Sequence, residues 1–363
     1  MPVQLTRLAR LVELPGPYAT ALLDVSRTAE DADHQLELRA QGARDGLIAE
    51  GAPEALADEI RRRLIEHTGL PGAVGRFVAG TSRGVAVDDP MPQWEGPDIV
   101  AFGPLPDVTE WLAYLGATTS VLLILADKAG ADLSRYDAWD HGGPGDRQQV
   151  TGETLHLHKV PDDDLAKTTL QRTTEEVWRI NARKVADELE RMVGTSHPMI
   201  VLAGDPKARS EIREAAGDSV RPGIIEAEHG SRAAGTSDSN LDAEVRHLVQ
   251  NALVEQRLAA VRDYQERVGR DEGVARGVGE VLDACAMGRA GTVLVDRSTA
   301  PEVLIRPADH PGVPLPSSAL EAPNVRGDLA VLAAAAATDA EAEFVGSSAL
   351  GGDYGAAALL RWT

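Results

Sequence analysis

The sequence predicts an α/β protein of three domains, and three observations carry that prediction. From residue 120 to residue 229, apolar runs of strand length alternate with helical patterns, the order that marks an α/β layer. Two stretches rich in turn residues, 88–108 and 230–240, interrupt the periodic segments. With 363 residues and 43% hydrophobic content, the chain carries enough apolar surface for two or three cores. We expect domains at residues 1–115 (α+β), 116–235 and 236–363 (both α/β with mixed sheets).

The first third opens on the strand candidate YATALLDV (18–25), followed by a polar helix over about 30–50. A second helix over 53–67 contains Arg61, Arg62 and Arg63. Residues 76–89 have the pattern of a hairpin turning at Ser82-Arg83-Gly84, and the proline-rich passage 88–108 suits an ordered loop with an edge strand.

The middle third begins with two strands around a turn (120–139), then DHGGPGDRQQ (140–149), whose glycines and proline predict a mobile turn. That turn lacks the lysine and the strand-to-helix setting of a phosphate loop. An alternating strand, ETLHLHKV (153–160), leads into an acidic tip and a helix over 161–193. Trp178, Ala182, Val185, Leu189 and Met192 recur at spacings of four and three, which predicts an inward apolar face. Arg172, Arg179 and Arg183 fall on a different face. Their forked donors suit phosphate oxygens, and a solvated helix face accounts for them equally well. Thr168-Thr169-Leu170-Gln171 has capping-box spacing, so the Gln171 amide is expected to reach back to the cap backbone. A buried-type strand (197–205), a short helix (208–217) and a further strand (223–229) complete the layer.

The last third starts with a long helix over 241–270, in which Leu248, Ala252, Glu255, Leu258 and Arg262 mix apolar and charged faces. Residues 273–296 give a helix ending near Gly288 and then a strand. Gly277 and Gly279 resemble half a dinucleotide fingerprint, but no strand is expected before them, so that motif is discounted. An alanine-rich helix (328–340) and two short strands, EFVG and AALLRW, make a second α/β sandwich.

The formal net charge of -21 argues against a general nucleic-acid binder, because nonspecific affinity comes from lysines and arginines that displace counterions. DNA is therefore not an expected partner, and any RNA contact must be local. No apolar run is long enough to span a bilayer and MPVQLTRLAR lacks a signal-peptide pattern, so a cytoplasmic protein without membrane contact is expected. Cys285 sits among Ala284, Ala286 and Met287 and suits a small buried hydrophobe. His156 and His158 share one strand face, but no third ligand accompanies them; neither a metal nor a cofactor is expected.

Three segments, in order, resemble the archaeo-eukaryotic class-1 release factor and Pelota superfamily. These are Arg183-Lys184-Val185-Ala186 in the middle helix, GVGEVLDACAMGRAGTVLVD (277–296), and LGGDYGAAALLRW (350–362). The QRTTEE element (171–176), the GDPKARSEI element (204–212) and the strand near Tyr18 are similar to bacterial archaeo-eukaryotic release factor family 2, an actinobacterial branch. That branch is in turn similar to Balon, a ribosome hibernation factor that occupies the vacant A site and can be accompanied by elongation factor Tu. The resemblance implies a three-domain, tRNA-mimicking architecture with an L7Ae-like C-terminal domain and a place in translation under stress.

Where the superfamily carries its Gly-Gly-Gln loop, this chain has Asp162, Asp163, Asp164 and Leu165. Release chemistry needs a glutamine and a backbone amide to position water and stabilise an oxyanion, and paired aspartates would repel that charge. The resemblance thus implies a non-catalytic ribosome-binding factor. Its expected RNA contacts are Lys159, Lys167, Arg172, Arg179 and Arg183, with Arg61, Arg62 and Arg63 as a second set. The enzymatic alternative is a peptidyl-tRNA hydrolase in which Gln171 orients water beside Lys167 and Thr168; a third possibility is a protein-interaction scaffold.

Overall fold

The apolar run at 18–25 forms a central strand of a four-stranded antiparallel sheet in the computed structural model, which describes residues 3, 5–29, 31–117, 120–136, 146–151, 164–193, 198–230 and 239–362. The chain divides into two compact units, residues 1–117 with 253–363, and residues 118–252. No helix among the described residues is long and apolar enough to cross a membrane.

The first segment of the first unit runs α1 (Thr6–Val12), β1 (Tyr18–Asp24), α2 (Ala32–Ala49), α3 (Glu54–Ile65), β2 (Val74–Thr81), β3 (Gly84–Pro92), β4 (Ile99–Gly103) and α4 (Thr109–Ala117). Strand order is β3-β2-β1-β4, so the expected hairpin and the expected edge strand both form. Alternation along β1 splits its side chains. Ala19, Ala21 and Leu23 pack under α2 and α3, and Tyr18 and Leu22 face the opposite core.

The second unit contains β5 (Val121–Asp127), β6 (Gly130–Tyr136), β7 (Asp146–Thr151), α5 (Asp164–Val193), β8 (Met199–Gly204), α6 (Pro206–Ala215) and β9 (Ile224–Glu226). Its five-stranded mixed sheet has the order β7-β6-β5-β8-β9, antiparallel on the hairpin side and parallel across β5, β8 and β9. Leu122, Ile124, Leu133 and Leu202 point to one face and meet Val185, Leu189 and Met192 of α5 and Ile212 of α6. Leu123, Val201 and Ala203 point to the other face. There the start of α7 (Ser239–Arg270) buries Leu241, Val245 and Val249 at intervals of four, and Gly230 backs onto Leu125, Ala203 and Leu241. The sheet is covered on both faces.

The chain then returns to the first unit with β10 (Val274–Arg276), α8 (Val278–Ala286), β11 (Ala290–Asp296), β12 (Leu304–Ile305), α9 (Ser317–Leu320), β13 (Val325–Arg326), α10 (Gly327–Ala337), β14 (Glu341–Val345), α11 (Ser347–Leu350) and β15 (Ala356–Leu360). The sheet β10-β15-β11-β14 carries α8 and α10 against Val293, Val295, Ala356 and Ala358. Tyr264 of α7 packs against Leu294, Ala357 and Leu359 on the opposite face. Cys285 is buried as expected, and burial pushes its thiol pKa up to about 12.

The two segments of this unit share one core. Val3 pairs with Ala342, and Ser318 donates to the Pro104 carbonyl at 2.8 Å. The polar centre is Arg326, whose Nη2 donates to Asp328 at 2.7 Å and whose Nη1 donates to Asp107 at 2.5 Å. Thr109 adds a buried hydrogen bond to Asp328 at 2.6 Å.

Three expectations require correction. The helix expected to cap at Thr168 begins at Asp164, so Thr168 and Gln171 lie within it and Thr168 is not an N-cap. Asp164 and Leu165, expected in a loop, are therefore helical. Residues 146–149, expected in a mobile turn, are in β7, because pairing of Asp146–Thr151 with β6 overrides their weak strand propensity. Gly277 and Gly279 do follow a strand, β10, too short to show a period. That strand pairs antiparallel with β15, not with a parallel neighbour as in a dinucleotide fold, and Gly279 backs onto the His310 ring.

Two substitutions test this packing. Leu189→Ala removes a fully buried side chain of α5, and urea unfolding should show a loss of about 3 kcal/mol. Arg326→Ala leaves the Asp107 and Asp328 carboxylates without their guanidinium and should cost about 3–5 kcal/mol in the same measurement.

Candidate functional site

The site is a slot where α5, α6 and the β5–β6 turn converge. Each wall follows from local sequence. Asp205 is the N-cap of α6, accepting from the backbone N–H of Lys207 at 2.9 Å and of Ala208 at 3.1 Å, with Pro206 at the first helical position. Gly204 just before it has φ +105°, and a Cβ there would lie 2.0 Å from the Ala126 carbonyl oxygen, so only glycine lets β8 run this close to β5. In the β5–β6 turn, Asp127 accepts from the Ala129 N–H at 2.7 Å. Asn181 of α5, 3% exposed, donates to the Lys128 carbonyl at 3.2 Å and ties that turn to the helix.

These supports bring two lysines to one aromatic ring. Lys207 Nζ lies 4.4 Å and Lys128 Nζ 5.1 Å from the centroid of the Trp178 ring. Lys128 Nζ also lies 3.9 Å from an Asp205 carboxylate oxygen. An indole face attracts cations, so the ring offsets part of the repulsion between two neighbouring ammonium groups. Ala182, Val185 and Ile212 form the slot's apolar floor, and Glu211 stands in its wall.

The inward stripe expected on α5 begins one turn later than its sequence spacing suggests. Ala182, Val185, Leu189 and Met192 are buried, whereas Trp178 is half-buried at the edge of the slot. Arg179 and Arg183 are exposed, as a face away from that stripe requires. Arg179 is paired with Glu176 at 3.0 Å, and Arg183 has no ion pair among the described residues. Lys167, Gln171 and Arg172 belong to the same helix by their backbone, and Lys159, Asp162, Asp163, His156 and His158 lie outside the described residues. Among the described residues no three His, Cys, Asp or Glu side chains group as a metal site.

The second basic set lies in the other unit and is largely neutralised. Arg61 bonds to Glu37, and Arg63 lies 3.7 Å from both Glu66 and Asp88. Arg62 alone of the three is exposed without an ion pair among the described residues. Lys128 and Lys207 went unnoticed in the sequence as site residues. The visible signal was Asp205-Pro206-Lys207 after a strand, a helix start that puts its third residue beside the preceding turn.

The fold and the slot define a mixed-sheet α/β protein whose long crossover helix presents an aromatic and basic edge. Residues 120–270 match the family profile of bacterial archaeo-eukaryotic release factor family 2, a span that includes the five-stranded sheet and all of α7. Over this segment, less than half of the chain, the sequence is similar to that family. An uncharacterized protein of Mycobacterium tuberculosis is 25% identical over 297 residues, covering 80% of this chain and 77% of the relative. Among solved structures, Saccharomyces cerevisiae Dom34, a translation termination-like factor involved in RNA quality control, is 8% identical with a TM-score of 0.44 over 80% of each chain. Archaeoglobus fulgidus Pelota is 12% identical with a TM-score of 0.32, covering 100% of this chain and 94% of its own.

Removing the α6 cap tests how the slot is held. Asp205→Ala should lower stability by about 1 kcal/mol in urea unfolding, and the tryptophan emission spectrum should shift as Lys207 moves from the Trp178 ring.

Proposed function

We propose that this chain is a ribosome-binding factor that occupies the A site of idle ribosomes and does not release peptide. The observation that carries the proposal is the match of residues 120–270 to a release-factor family in a chain whose sequence has no Gly-Gly-Gln. In place of a flexible glycine loop, Asp164 and Leu165 enter the first turn of α5. Release chemistry needs a glutamine to position water beside the developing oxyanion, and aspartate in its place adds like charge.

Binding without catalysis needs only local cations on an otherwise acidic body. The exposed face of α5 supplies them through Arg179 and Arg183, with Arg172, Lys167 and Lys159 preceding them in the chain. Phosphate contacts from a few arginines hold at low salt and are lost steeply as salt rises. Elongation factor Tu is the proposed companion, and dormancy under stress the proposed setting.

Sedimentation with 70S ribosomes over a salt series tests the proposal. The chain should pellet at low salt, and Arg179→Ala with Arg183→Ala should flatten the log–log salt slope by about 1.5. A chain that stays in the supernatant at every salt concentration contradicts ribosome binding. Incubation with stalled nascent-chain complexes tests the second half: no peptide release is expected. Release that disappears in Gln171→Ala would establish the hydrolase alternative instead.

A further inference from the structure

We propose that the Trp178 slot binds one unpaired nucleotide of single-stranded RNA, its base against the indole and its phosphate at the ammonium groups of Lys128 and Lys207. The proposal rests on ribosome binding only for the source of the RNA. Its grounds are the slot itself.

Two ammonium groups stand within 5.1 Å of one indole, that of Lys128 also 3.9 Å from an Asp205 oxygen, so a pair of cations is held at one ring of a chain whose net charge is -21. The lysine stems are flexible, so each ammonium group can swing from the ring to a phosphate oxygen and uncover a π-face. Base–aromatic stacking is the sequence-tolerant element of single-strand recognition, and nearby cations that take the backbone phosphate are its usual complement. Val185 and Ile212 give the slot an apolar floor beside the indole, against which one base can rest.

The slot also carries a means of choosing among bases. Glu211 places a carboxylate in its wall, an acceptor for the exocyclic amino group of adenine or cytosine. Uracil has no such group. Asp127, the other carboxylate at the slot, is occupied at one oxygen by the Ala129 N–H of its own turn. Asn181 is held to the Lys128 carbonyl, so the turn that carries Lys128 is anchored before any ligand arrives.

The test is a titration of the full chain with AMP, UMP, inorganic phosphate and an unstructured RNA nonamer, read by tryptophan emission. AMP and the RNA should quench emission, with UMP about tenfold weaker than AMP and phosphate weaker still. The quench should vanish in Trp178→Phe although the other four tryptophans remain. Lys128→Ala with Lys207→Ala, both on exposed side chains, should weaken AMP binding by about tenfold or more with the circular dichroism spectrum unchanged. Unchanged affinity in the lysine pair, a quench that survives Trp178→Phe, or no response to AMP and RNA at millimolar concentration overturns the proposal. If AMP binds at Trp178 but ribosomes do not sediment with the chain, the nucleotide site stands and ribosome binding falls. If ribosomes sediment and nothing touches Trp178, the reverse holds.

Discussion

Burial of the α5 stripe on the five-stranded sheet is the constraint from which the candidate site follows. Val185 and Leu189 are fully buried against β5, β6 and β8, which fixes the rotation of the helix about its axis. At about 100° per residue, that rotation leaves no freedom for the positions between them. Arg179 and Arg183 must face solvent, and Trp178 must come to the edge where α6 begins. The middle and the C-terminal end of the helix are tied as well: Asn181 reaches the β5–β6 turn, and Arg135 donates to the Met192 carbonyl at 3.2 Å. The candidate surface is thus a by-product of core packing and of the β5–β6 turn tied to it.

The first unit depends on a different kind of contact. Its two segments are far apart in sequence, and Arg326 joins them by bonding Asp107 of the first and Asp328 of the second. Burial raises the Asp107 pKa even though Arg326 pulls it down. A carboxyl raised in this way favours the fold in acid and gives up that contribution as pH rises through its folded pKa. Asp296 has the opposite sign. Its burial is outweighed by hydrogen bonds from Ser298 and Thr299, so its contribution is present above the unfolded pKa and lost as pH falls through the folded one. The unit therefore contains groups that oppose each other in pH response.

Elements with strong local patterns were legible in the sequence. The hairpin at Ser82-Arg83-Gly84, the strand at Tyr18, the helix introduced by Asp205-Pro206 and the burial of Cys285 all follow from neighbours within a few residues. What escaped depended on distant partners. Nothing in DRQQ predicts a strand until β6 offers it an edge, and β10 has only three residues over which to show a period. The Thr168 capping spacing is a local pattern overridden by a helix already under way at Asp164. Lys128 and Lys207 are 79 residues apart and meet only because β5 and β8 are parallel neighbours. Arg61 and Arg63 looked like a basic patch because their partners Glu37 and Asp88 come from other elements.

We propose a release-factor-like body that docks on the ribosome without release chemistry. The most direct measurement is a cryo-electron microscopy reconstruction of idle 70S ribosomes mixed with a stoichiometric amount of the chain. The account predicts density for the protein in the A site, with the N-terminal end of α5 directed towards the peptidyl-transferase centre and no ordered water held for attack. An empty A site under those conditions would contradict it.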